Sequence, residues 1–333
     1  MPNDARLLLL DRDQAAALLT PDHVLAAVRE SFLLHAARSG RVFPVVREML
    51  PENAVFGIKS GGAPGEALLG FKAAGFWPGN RAHSADAHQA TIMLFDQASG
   101  RPQCLIDGNA VTTERTAAAG ALGLTALARQ DSSCLHVFGT GVQAGAHVEY
   151  ALRALPSLRT VRYTASDCRS VPDFEARFAG RCEIAAAPAN AVAQADIVIT
   201  ATPARCPLFN VRDIQPGTHI NAVGADTRGK RELPEGLLPR ARIWADDLAQ
   251  ARSIGELQWC AESAACEIGV LLAGSTAGAN ADAAGACPGT ARAAGDITIF
   301  DMTGLALQDL TVARMLLQRA LETGTGTSIA WPW

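Results

Sequence analysis

Four cationic side chains lie in apolar, glycine-flanked segments near the start of the chain: Arg47 in PVVREML, Lys59 in GIKSGG, Lys72 in GFKAAGFWPGN and Arg115 in TTERTAAAG. Lysine and arginine are seldom buried unless they are paired. Several cations that converge on one cleft would suit a substrate with a carboxylate, which arginine can bind through two parallel hydrogen bonds. Each one taken alone is equally well explained as a surface cation or as part of a structural ion pair.

A carboxylate and a further cation follow an apolar run in the segment NAVGADTRGKREL, residues 221–233. The predicted strand 219–223 leads to Gly224, then to Asp226 and, four residues later, to Lys230. The carboxyl end of a strand in a doubly wound sheet faces the ligand crevice. A carboxylate placed there can act as a general acid or base. Asp226 is therefore a candidate catalytic group, and the alternative is an aspartate that caps the turn.

The segment LHVFGTGVQAGAHVEYALRAL, residues 135–155, combines a predicted strand, a glycine pair and a predicted helix. Gly139 permits a tight turn, Gly141 lets the backbone approach a pyrophosphate, and the helix N-terminus offers N–H groups and a positive dipole. Ala144 replaces the third glycine of G-x-G-x-x-G, a position that needs only a small residue. The segment predicts a dinucleotide-binding turn, with a strand–helix turn in a non-binding sheet as the alternative.

The next predicted strand, TVRYT, bears on the choice between NAD and NADP. NAD-binding proteins usually carry an acidic residue at its end, whereas this chain has Thr164, Ala165 and Ser166, followed by Asp167 and Arg169. Hydroxyls and a nearby arginine suit a 2′-phosphate, so the sequence favours NADP(H) over NAD(H). Asp167 would serve the ribose of NAD(H) if the strand ended later.

Two regions with different patterns of predicted secondary structure must position these side chains. Residues 1–120 open on a predicted helix, with Thr20 as N-cap and Pro21 at its first position, and continue with short strands separated by turns. From Leu135 onwards, short apolar strands alternate with helix-length segments, which is typical of a parallel sheet covered on both faces. We therefore predict an α/β fold with a Rossmann-type doubly wound sheet over 121–302 and an α+β domain of 1–120 plus 303–333. The predicted sheet strands are 135–139, 160–164, 182–186, 196–200, 219–223, 242–246 and 296–300.

The length, net charge and cysteine pattern of the chain limit which partners, sites and compartment we expect. The 333 residues are enough for two domains, and a net charge of −4 gives no electrostatic reason to expect nucleic acid or an anionic membrane. The apolar runs are too short to span a membrane, and the four leucines in the opening MPNDARLLLLDRDQ are too short an apolar run for a signal sequence. The eight cysteines form no C-x-x-C pair, so we expect reduced thiols, no metal site and a cytoplasmic protein. The Ala/Gly-rich stretch 272–295 is predicted to be a surface loop rather than a site.

Six ordered blocks of the chain resemble the ornithine cyclodeaminase/μ-crystallin family over almost its full length. The resemblance implies a homodimer in which the α+β domain carries both the dimer contact and the substrate groups. It also implies that the Rossmann domain holds NAD(H) or NADP(H). The blocks are GFKAAGFWPGN, LFDQASGRPQCLIDGNAVTTERTAAAGAL, VFGTGVQAGAHVEYAL, NAVGADTRGKREL, WADDLAQARSIGELQ and DITIFDMTGLALQDLTVARMLLQRA.

The resemblance also implies roles for individual residues. Lys72 and Asp226 look like the catalytic pair that manages protons on the substrate nitrogen. The predicted substrate-binding residues are Arg47, Lys59, Lys72, Arg115, Lys230, Thr303 and Gly304. The predicted cofactor-binding residues are Arg115, Thr116, Gly139, Thr140, Gly141, Val142, Gln143, Thr164, Ser166, Arg169, Thr202, Val223, Gly224 and Thr303.

One departure from the family pattern bears on the substrate. Lys59-Ser60-Gly61 stands where relatives often carry Met-Pro-Ala, and a lysine there would repel the cationic tail of ornithine or lysine. We therefore predict an NAD(P)H-dependent imine or ketimine reductase of the amino-acid dehydrogenase type, which interconverts an α-imino acid and an L-amino acid by hydride transfer. The substrate would be a small, cyclic or dicarboxylic imino acid. The alternatives are an ornithine or lysine cyclodeaminase, which returns the hydride and releases ammonia, and a μ-crystallin-like protein that binds NADPH and a small ligand.

Two smaller departures concern Ala87, where relatives often carry Ser or Thr before His-Gln, and PGTARAAG, where a Gly-Arg pair usually precedes the DITIF strand. The first bears on a hydrogen bond to nicotinamide or substrate, and the second bears on a loop.

Overall fold

The computed structural model describes residues 5–274 and 292–331. The chain divides into two compact units, of which unit 1 is Met1–Arg115 with Leu305–Trp333 and unit 2 is Thr116–Gly304. These divisions lie five residues before and two residues after the boundaries expected from the sequence at 120 and 302.

Unit 1 is built on a mixed sheet of eight strands. The spatial order is β16-β1-β7-β6-β5-β4-β2, and β3 also pairs with β4. The strands are β1 (Arg6–Leu10), β2 (Arg41–Val42), β3 (Val46–Met49), β4 (Val55–Ala63), β5 (Leu68–Phe76), β6 (His88–Phe95), β7 (Pro102–Asp107) and β16 (Thr327–Ala330). The helices are α1 (Arg12–Leu18), α2 (Pro21–Ala36), α8 (Ala306–Thr323) and the start of α3 (Gly108–Leu127), which continues into unit 2.

The last helix supplies the packing that matters most for the site in unit 1. Helix α8 packs on α2 and on strands β4 and β5. Gly40, just after α2, lies where a Cβ would come 2.8 Å from Leu307 Cδ1, so glycine permits the close approach of α8. The predicted start of α2 is confirmed: Thr20 is its N-cap residue and Pro21 its first residue.

Unit 2 contains an eight-stranded sheet in the order β10-β9-β8-β11-β12-β15-β13-β14. All pairs are parallel. The order reverses between β8 and β11, which is the switch point of a doubly wound fold. The strands are β8 (Cys134–Phe138), β9 (Thr160–Thr164), β10 (Glu183–Ala186), β11 (Ile197–Thr200), β12 (His219–Ala222), β13 (Ala241–Ala245), β14 (Ala265–Glu267) and β15 (Ile297–Asp301). The helices are the rest of α3, α4 (Val142–Ala154), α5 (Pro172–Ala176), α6 (Leu248–Ile254) and α7 (Ile268–Gly274).

The predicted doubly wound sheet is confirmed, with two corrections. The short strand β14 was not predicted. Helix-length connections were expected between most strands, but 3₁₀ turns stand at Ala189–Gln194, Val211–Asp213 and Leu238–Arg240. Prolines explain one of these, because Pro203, Pro207 and Pro216 interrupt the connection between β11 and β12, and proline in a helix interior removes a hydrogen bond and clashes with the preceding turn.

Three further predictions meet the structure outside the sheets. Cys104, Cys134, Cys168, Cys182, Cys206 and Cys260 are free thiols. Most of the predicted loop 272–295 lies outside the described residues. Within residues 5–274 and 292–331, no helix combines the length and apolarity needed to cross a membrane.

Candidate active site

A buried carboxylate in unit 1 binds two of the predicted cations. Lys72 lies on β5 with its side chain 5% exposed, and its Nζ donates to Asp309 Oδ1 at 2.8 Å. Arg115 Nε donates to the same oxygen at 3.0 Å, and the Asp309 side chain is fully buried. Lys72 Nζ also donates to Thr112 Oγ1 at 3.3 Å. The fold of unit 1 therefore brings Lys72 and Arg115 together around one acid on α8.

The charges in this cluster set its ionisation. Burial lowers the pKa of Lys72 to about 7, and the charges of Arg115 and Lys59 add to this effect while Asp309 opposes it. Burial by itself would raise the pKa of Asp309, but Arg115 and Lys72 outweigh it and the pKa is lowered. Asp309 thus stays ionised, whereas Lys72 can both hold and release a proton near neutral pH.

The other two predicted cations, Lys59 and Arg47, lie on neighbouring strands in different surroundings. Lys59 on β4 is directly opposite Lys72 in the strand register, an arrangement of like charges that is unfavourable in itself. Arg47 lies exposed on β3, opposite Gly57. His88 Nδ1 pairs with Asn109 Oδ1 at 3.1 Å, and burial, with the charge of Lys72, lowers its pKa.

Sequence reasoning missed Asp309 and its neighbour Gln308, whose Oε1 accepts from Arg115 Nη1 at 2.8 Å. A signal was present, because these two polar residues interrupt the buried face of α8. Buried polar groups are nearly always hydrogen-bonded, so a Gln-Asp pair on an apolar helix face indicates partners elsewhere in the fold.

The glycine turn of unit 2 has the geometry that a pyrophosphate needs. Gly139 has φ of +102°, and a Cβ there would come 2.9 Å from Ala201 O. Gly141 is the N-cap residue of α4, and a Cβ there would meet no atom within 4 Å, so there is open space at the helix N-terminus. Ala144 is fully buried among the side chains of β8 and β9, as a small third residue should be. The residues present therefore fit a dinucleotide phosphate at this turn.

The other predicted residues of this turn lie within or beside the first turn of α4. Thr140 is the residue between the two glycines, Val142 begins the helix with 64% of its surface exposed, and Gln143 follows it. Thr116 is buried at the position on α3 where unit 2 begins.

The residues at the end of β9 that were predicted to bind the adenosine end of the cofactor differ in their exposure and hydrogen bonding. Thr164 Oγ1 donates to Ala187 O at 2.9 Å and pairs with His136 Nε2 at 2.9 Å, so this hydroxyl is used within the unit. Ser166 and Arg169 are exposed. Asp167 Oδ1 accepts from Arg169 N at 3.1 Å and closes the turn between them.

Asp226 lies on the loop after β12. Its Oδ1 accepts from Lys230 Nζ at 2.7 Å and from Thr227 Oγ1 at 3.0 Å. The Asp226 side chain is 42% exposed, so a ligand can reach it. The two predicted site residues of this motif, Asp226 and Lys230, therefore form an ion pair with each other.

A buried carboxylate that the sequence analysis missed joins two strand ends beside this loop. Glu232 Oε1 accepts from the backbone N and the Oγ1 of Thr202, each at 2.7 Å. Its Oε2 accepts from Gly224 N at 2.8 Å. Glu232 therefore holds Thr202 and Gly224, two predicted cofactor residues, at the carboxyl edge of the sheet. The third, Val223, is held by its backbone N, which donates to Thr200 O at 2.9 Å.

Two further buried carboxylates continue this arrangement. Glu256 Oε1 accepts from Glu232 N at 2.6 Å and Leu233 N at 3.3 Å. Asp301, at the end of β15, accepts from Glu256 N at 3.0 Å and Leu257 N at 2.9 Å. Each carboxylate thus fixes the backbone of the next acidic residue.

Thr303 and Gly304 are held by a separate acid. Asp246, which follows β13, accepts from Thr303 Oγ1 at 2.7 Å and also from Gly304 N. Gln250 Nε2 donates to Thr303 Oγ1 at 2.7 Å and to Gly304 O at 2.9 Å. This segment is therefore fixed at the end of unit 2.

We expect Glu256→Gln to flatten the pH dependence of stability. Burial, together with the charges of Asp301 and Glu232, raises the pKa of Glu256 to about 8 from a usual value of 4.5. The native state keeps a proton that the unfolded chain loses, so wild-type stability falls as pH rises from about 4.5 to 8. Glutamine retains the accepting Oε1 without the charge, and should gain roughly 1–2 kcal/mol relative to wild type at pH 8. Urea unfolding between pH 5 and 8.5 measures this, with exposed Glu183→Gln as the control. Parallel curves for wild type and Glu256→Gln would contradict it.

The chain is similar to proteins of known activity. Residues 23–324 match the sequence model described as "Ornithine cyclodeaminase/mu-crystallin family". The chain is 34% identical over 330 residues to the iminosuccinate reductase of Paracoccus denitrificans (strain Pd 1222). This alignment covers 97% of this chain and 99% of that protein.

Solved structures are similar over nearly their whole length. An archaeal alanine dehydrogenase dimer with bound NAD has a TM-score of 0.87 at 29% identity, covering 98% of this chain and 99% of that one. The Paracoccus denitrificans iminosuccinate reductase in complex with NAD⁺ has a TM-score of 0.84 at 32% identity, with coverage of 98% and 99%. The Thermococcus litoralis Δ¹-pyrroline-2-carboxylate reductase in complex with NADH and L-proline has a TM-score of 0.84 at 25% identity, with coverage of 97% and 100%.

Proposed function

We propose that this chain, which belongs to the ornithine cyclodeaminase/mu-crystallin family, is an NAD(P)H-dependent reductase that converts α-imino acids into L-amino acids. The observation that carries the proposal is the cluster in unit 1, where Lys72 and Arg115 share one oxygen of buried Asp309. When Lys72 is protonated, one carboxylate faces two cations, so a ligand with a carboxylate is favoured beside them. An α-imino acid has such a carboxylate next to the C=N bond.

The proposed mechanism assigns binding and proton handling to different groups. The cofactor, when bound at the glycine turn, supplies the hydride to the imine carbon. Arg115 and Lys72 bind and orient the substrate carboxylate. Lys72, whose pKa is about 7, and the accessible Asp226 are the groups that supply the proton which the nitrogen of the C=N bond gains as it becomes an amine. They accept that proton in the reverse direction.

We further propose that the protein uses NADP(H) at least as well as NAD(H). None of Thr164, Ala165 and Ser166, at the end of β9, carries an acidic side chain that would repel a 2′-phosphate. The exposed side chains of Ser166 and Arg169 are the groups that could bind it. Asp167 is the competing feature, and its carboxylate already accepts from Arg169 N.

The positive charge around Lys72 favours a substrate with a second carboxylate. Lys59, Lys72 and Arg115 all act electrostatically on Asp309 or on one another. A cationic substrate tail, as in ornithine, would add to the repulsion at Lys59, whereas a dicarboxylic imino acid would relieve it.

The direct test follows nicotinamide absorbance with oxaloacetate or pyruvate plus ammonium, and with a cyclic imino acid, using NADH and NADPH in turn. We expect stoichiometric oxidation of the cofactor and formation of the L-amino acid. Formation of proline and ammonia from ornithine without net cofactor turnover would instead assign a cyclodeaminase. A KM for NADPH more than about tenfold above that for NADH would overturn the NADP(H) proposal.

We expect Lys59→Met to change substrate choice. Loss of a charge-assisted hydrogen bond should raise KM for the oxaloacetate-derived imine by about tenfold or more, with much less effect on the pyruvate-derived imine. The matched control is Arg41→Met, an exposed cation on the neighbouring strand β2. An equal change for both imines would show that Lys59 does not bind a second carboxylate.

We also propose a homodimer formed through an apolar strip of unit 1. Met49, Val55 and Phe76 lie side by side across β3, β4 and β5, and Met49 and Phe76 are 66% and 40% exposed. Exposed apolar clusters mark interfaces. Light scattering should give twice the chain mass for wild type and a lower mass for Met49→Glu, and a monomeric wild type would overturn the proposal.

A further inference from the structure

The loop that carries Asp226 has little regular structure of its own. Residues 224–230 contain turns and irregular backbone, closed by Asp226 N to Gly224 O at 3.1 Å and Lys230 N to Thr227 O at 3.0 Å. Gly229 has φ of +81°, a left-handed conformation that other residues rarely adopt. Such a loop needs support from outside to hold one geometry.

One side-chain amide supplies much of that support. Gln258 Oε1 accepts from Gly229 N at 2.8 Å. Its Nε2 donates to Lys230 O at 3.3 Å and to Gly255 O at 2.8 Å. The amide therefore engages a donor of residue 229 and an acceptor of residue 230, as a neighbouring strand would. It ties both to Gly255, the N-cap residue of its own 3₁₀ turn, Glu256–Trp259.

The next residue, Trp259, also binds the backbone carbonyl of Lys230. Trp259 Nε1 donates to Lys230 O at 2.9 Å. The Arg231 guanidinium lies over the Trp259 ring, 5.1 Å from its centroid. The backbone of Lys230 is thus fixed while its Nζ reaches Asp226 Oδ1 at 2.7 Å.

The 3₁₀ turn that presents these two side chains is itself anchored in the core. Asp301 accepts from the backbone N of Glu256 and of Leu257, and Leu257 is fully buried. A connected series of contacts therefore links the end of β15, through this turn, to Lys230 and then to Asp226.

We propose that Gln258 and Trp259 are positioning residues for Asp226, acting through Lys230. The inference rests on the proton-handling role proposed above for Asp226. They hold Lys230 so that its ammonium pairs with the Asp226 carboxylate in a single orientation toward the substrate nitrogen. Without them the loop keeps its sequence but samples other geometries, and fewer encounters place the carboxylate correctly.

The kinetic test uses Gln258→Met, which keeps the length of the side chain but removes its hydrogen bonds. We expect kcat to fall about tenfold, because Gly229 N loses its acceptor and Lys230 O keeps only the donor of Trp259. KM for the cofactor should stay within about twofold, since the glycine turn is not changed. Trp259→Phe should give a smaller loss, as it removes one donor and keeps the ring.

A double-mutant cycle separates positioning from general stability. In a Lys230→Met background, Gln258→Met should lower kcat by less than about threefold, because the group through which it acts is gone. The matched control is Gln215→Ala, which removes an amide that donates to Asp213 O on another loop, and it should change neither parameter. An equal loss of kcat in both backgrounds, or an equal loss of cofactor affinity, would overturn the proposal.

Hydrogen–deuterium exchange gives a readout that does not need turnover. Gln258→Met should speed exchange in peptides covering 227–233 and leave peptides of α4 unchanged. If the wild type reduces no imine, the proposed function fails, but this exchange result still tests the clamp. Unchanged exchange in 227–233 together with normal kcat would show that Gln258 does not hold the loop.

Discussion

Replacement of Lys72 by methionine should lower kcat/KM for the imine by about 10²–10⁴-fold, because it removes the proposed substrate-binding charge and the proposed proton-transfer group together. The dissociation constant of the cofactor, measured by nicotinamide fluorescence, should change by less than about twofold. The glycine turn lies in unit 2, whereas Lys72 lies on β5 of unit 1. Loss of cofactor binding would show that Lys72 had been assigned to the wrong half of the protein.

The folded state should survive this change, because Arg115 Nε still donates to Asp309 Oδ1. A thermal unfolding curve is the necessary control, since an unpaired buried charge is costly. Lys72→Arg gives a further check through pH. Because the pKa of Lys72 is about 7, its cation is lost as pH rises through that value, and wild-type kcat/KM should fall there. Arginine stays charged, so this decline should vanish in the variant, and an unchanged profile would exclude Lys72 as its origin.

Asp226→Asn should lower kcat by about 10²–10⁴-fold with little change in stability or cofactor affinity. The asparagine amide cannot exchange a proton with the substrate nitrogen. Its Oδ1 can still accept from Lys230 Nζ and Thr227 Oγ1, as that of Asp226 does. The variant therefore tests chemistry rather than loop structure.

This substitution also decides between the two readings of Asp226. Asparagine caps turns as well as aspartate does, so a residue that only caps the turn would tolerate the change, and full activity of Asp226→Asn would support that reading. The control is Asp131→Asn, because the Asp131 side chain is 83% exposed and pairs with Arg129 at the other end of the unit's first strand. It should leave kcat unchanged.

Local patterns predicted much of the fold. The start of α2 follows from Thr20 and Pro21. The strand–glycine–helix segment predicted for 135–155 is observed over 134–154. These features depend on neighbours within a few residues, where propensity and capping act. Connections between later strands were less predictable, because proline content and the sheet itself, rather than helix periodicity, decide whether a connection folds into a helix or a 3₁₀ turn.

The predicted cations show where local reasoning stops. The glycine-flanked segments identified Arg47, Lys59, Lys72 and Arg115 as a set, but could not tell which of them meet. Lys72 and Arg115 meet at Asp309, and Lys59 faces Lys72 through the register of β4 and β5. Arg47 lies on β3, where the register gives it Gly57 as its partner position.

The sequence by itself determined the family, the strand–glycine–helix turn and the identity of the charged groups, because each of these is written in short contiguous segments. Tertiary structure alone decided which groups are paired. Asp309 is 237 residues from Lys72 and 194 from Arg115 along the chain, and Gln258 is 29 residues from Gly229. These contacts exist only after helix α8 docks on β5 and the end of β15 anchors the 3₁₀ turn. Burial then sets what the groups can do, since a lysine with a pKa near 7 needs the low dielectric and neighbouring charges of a folded core.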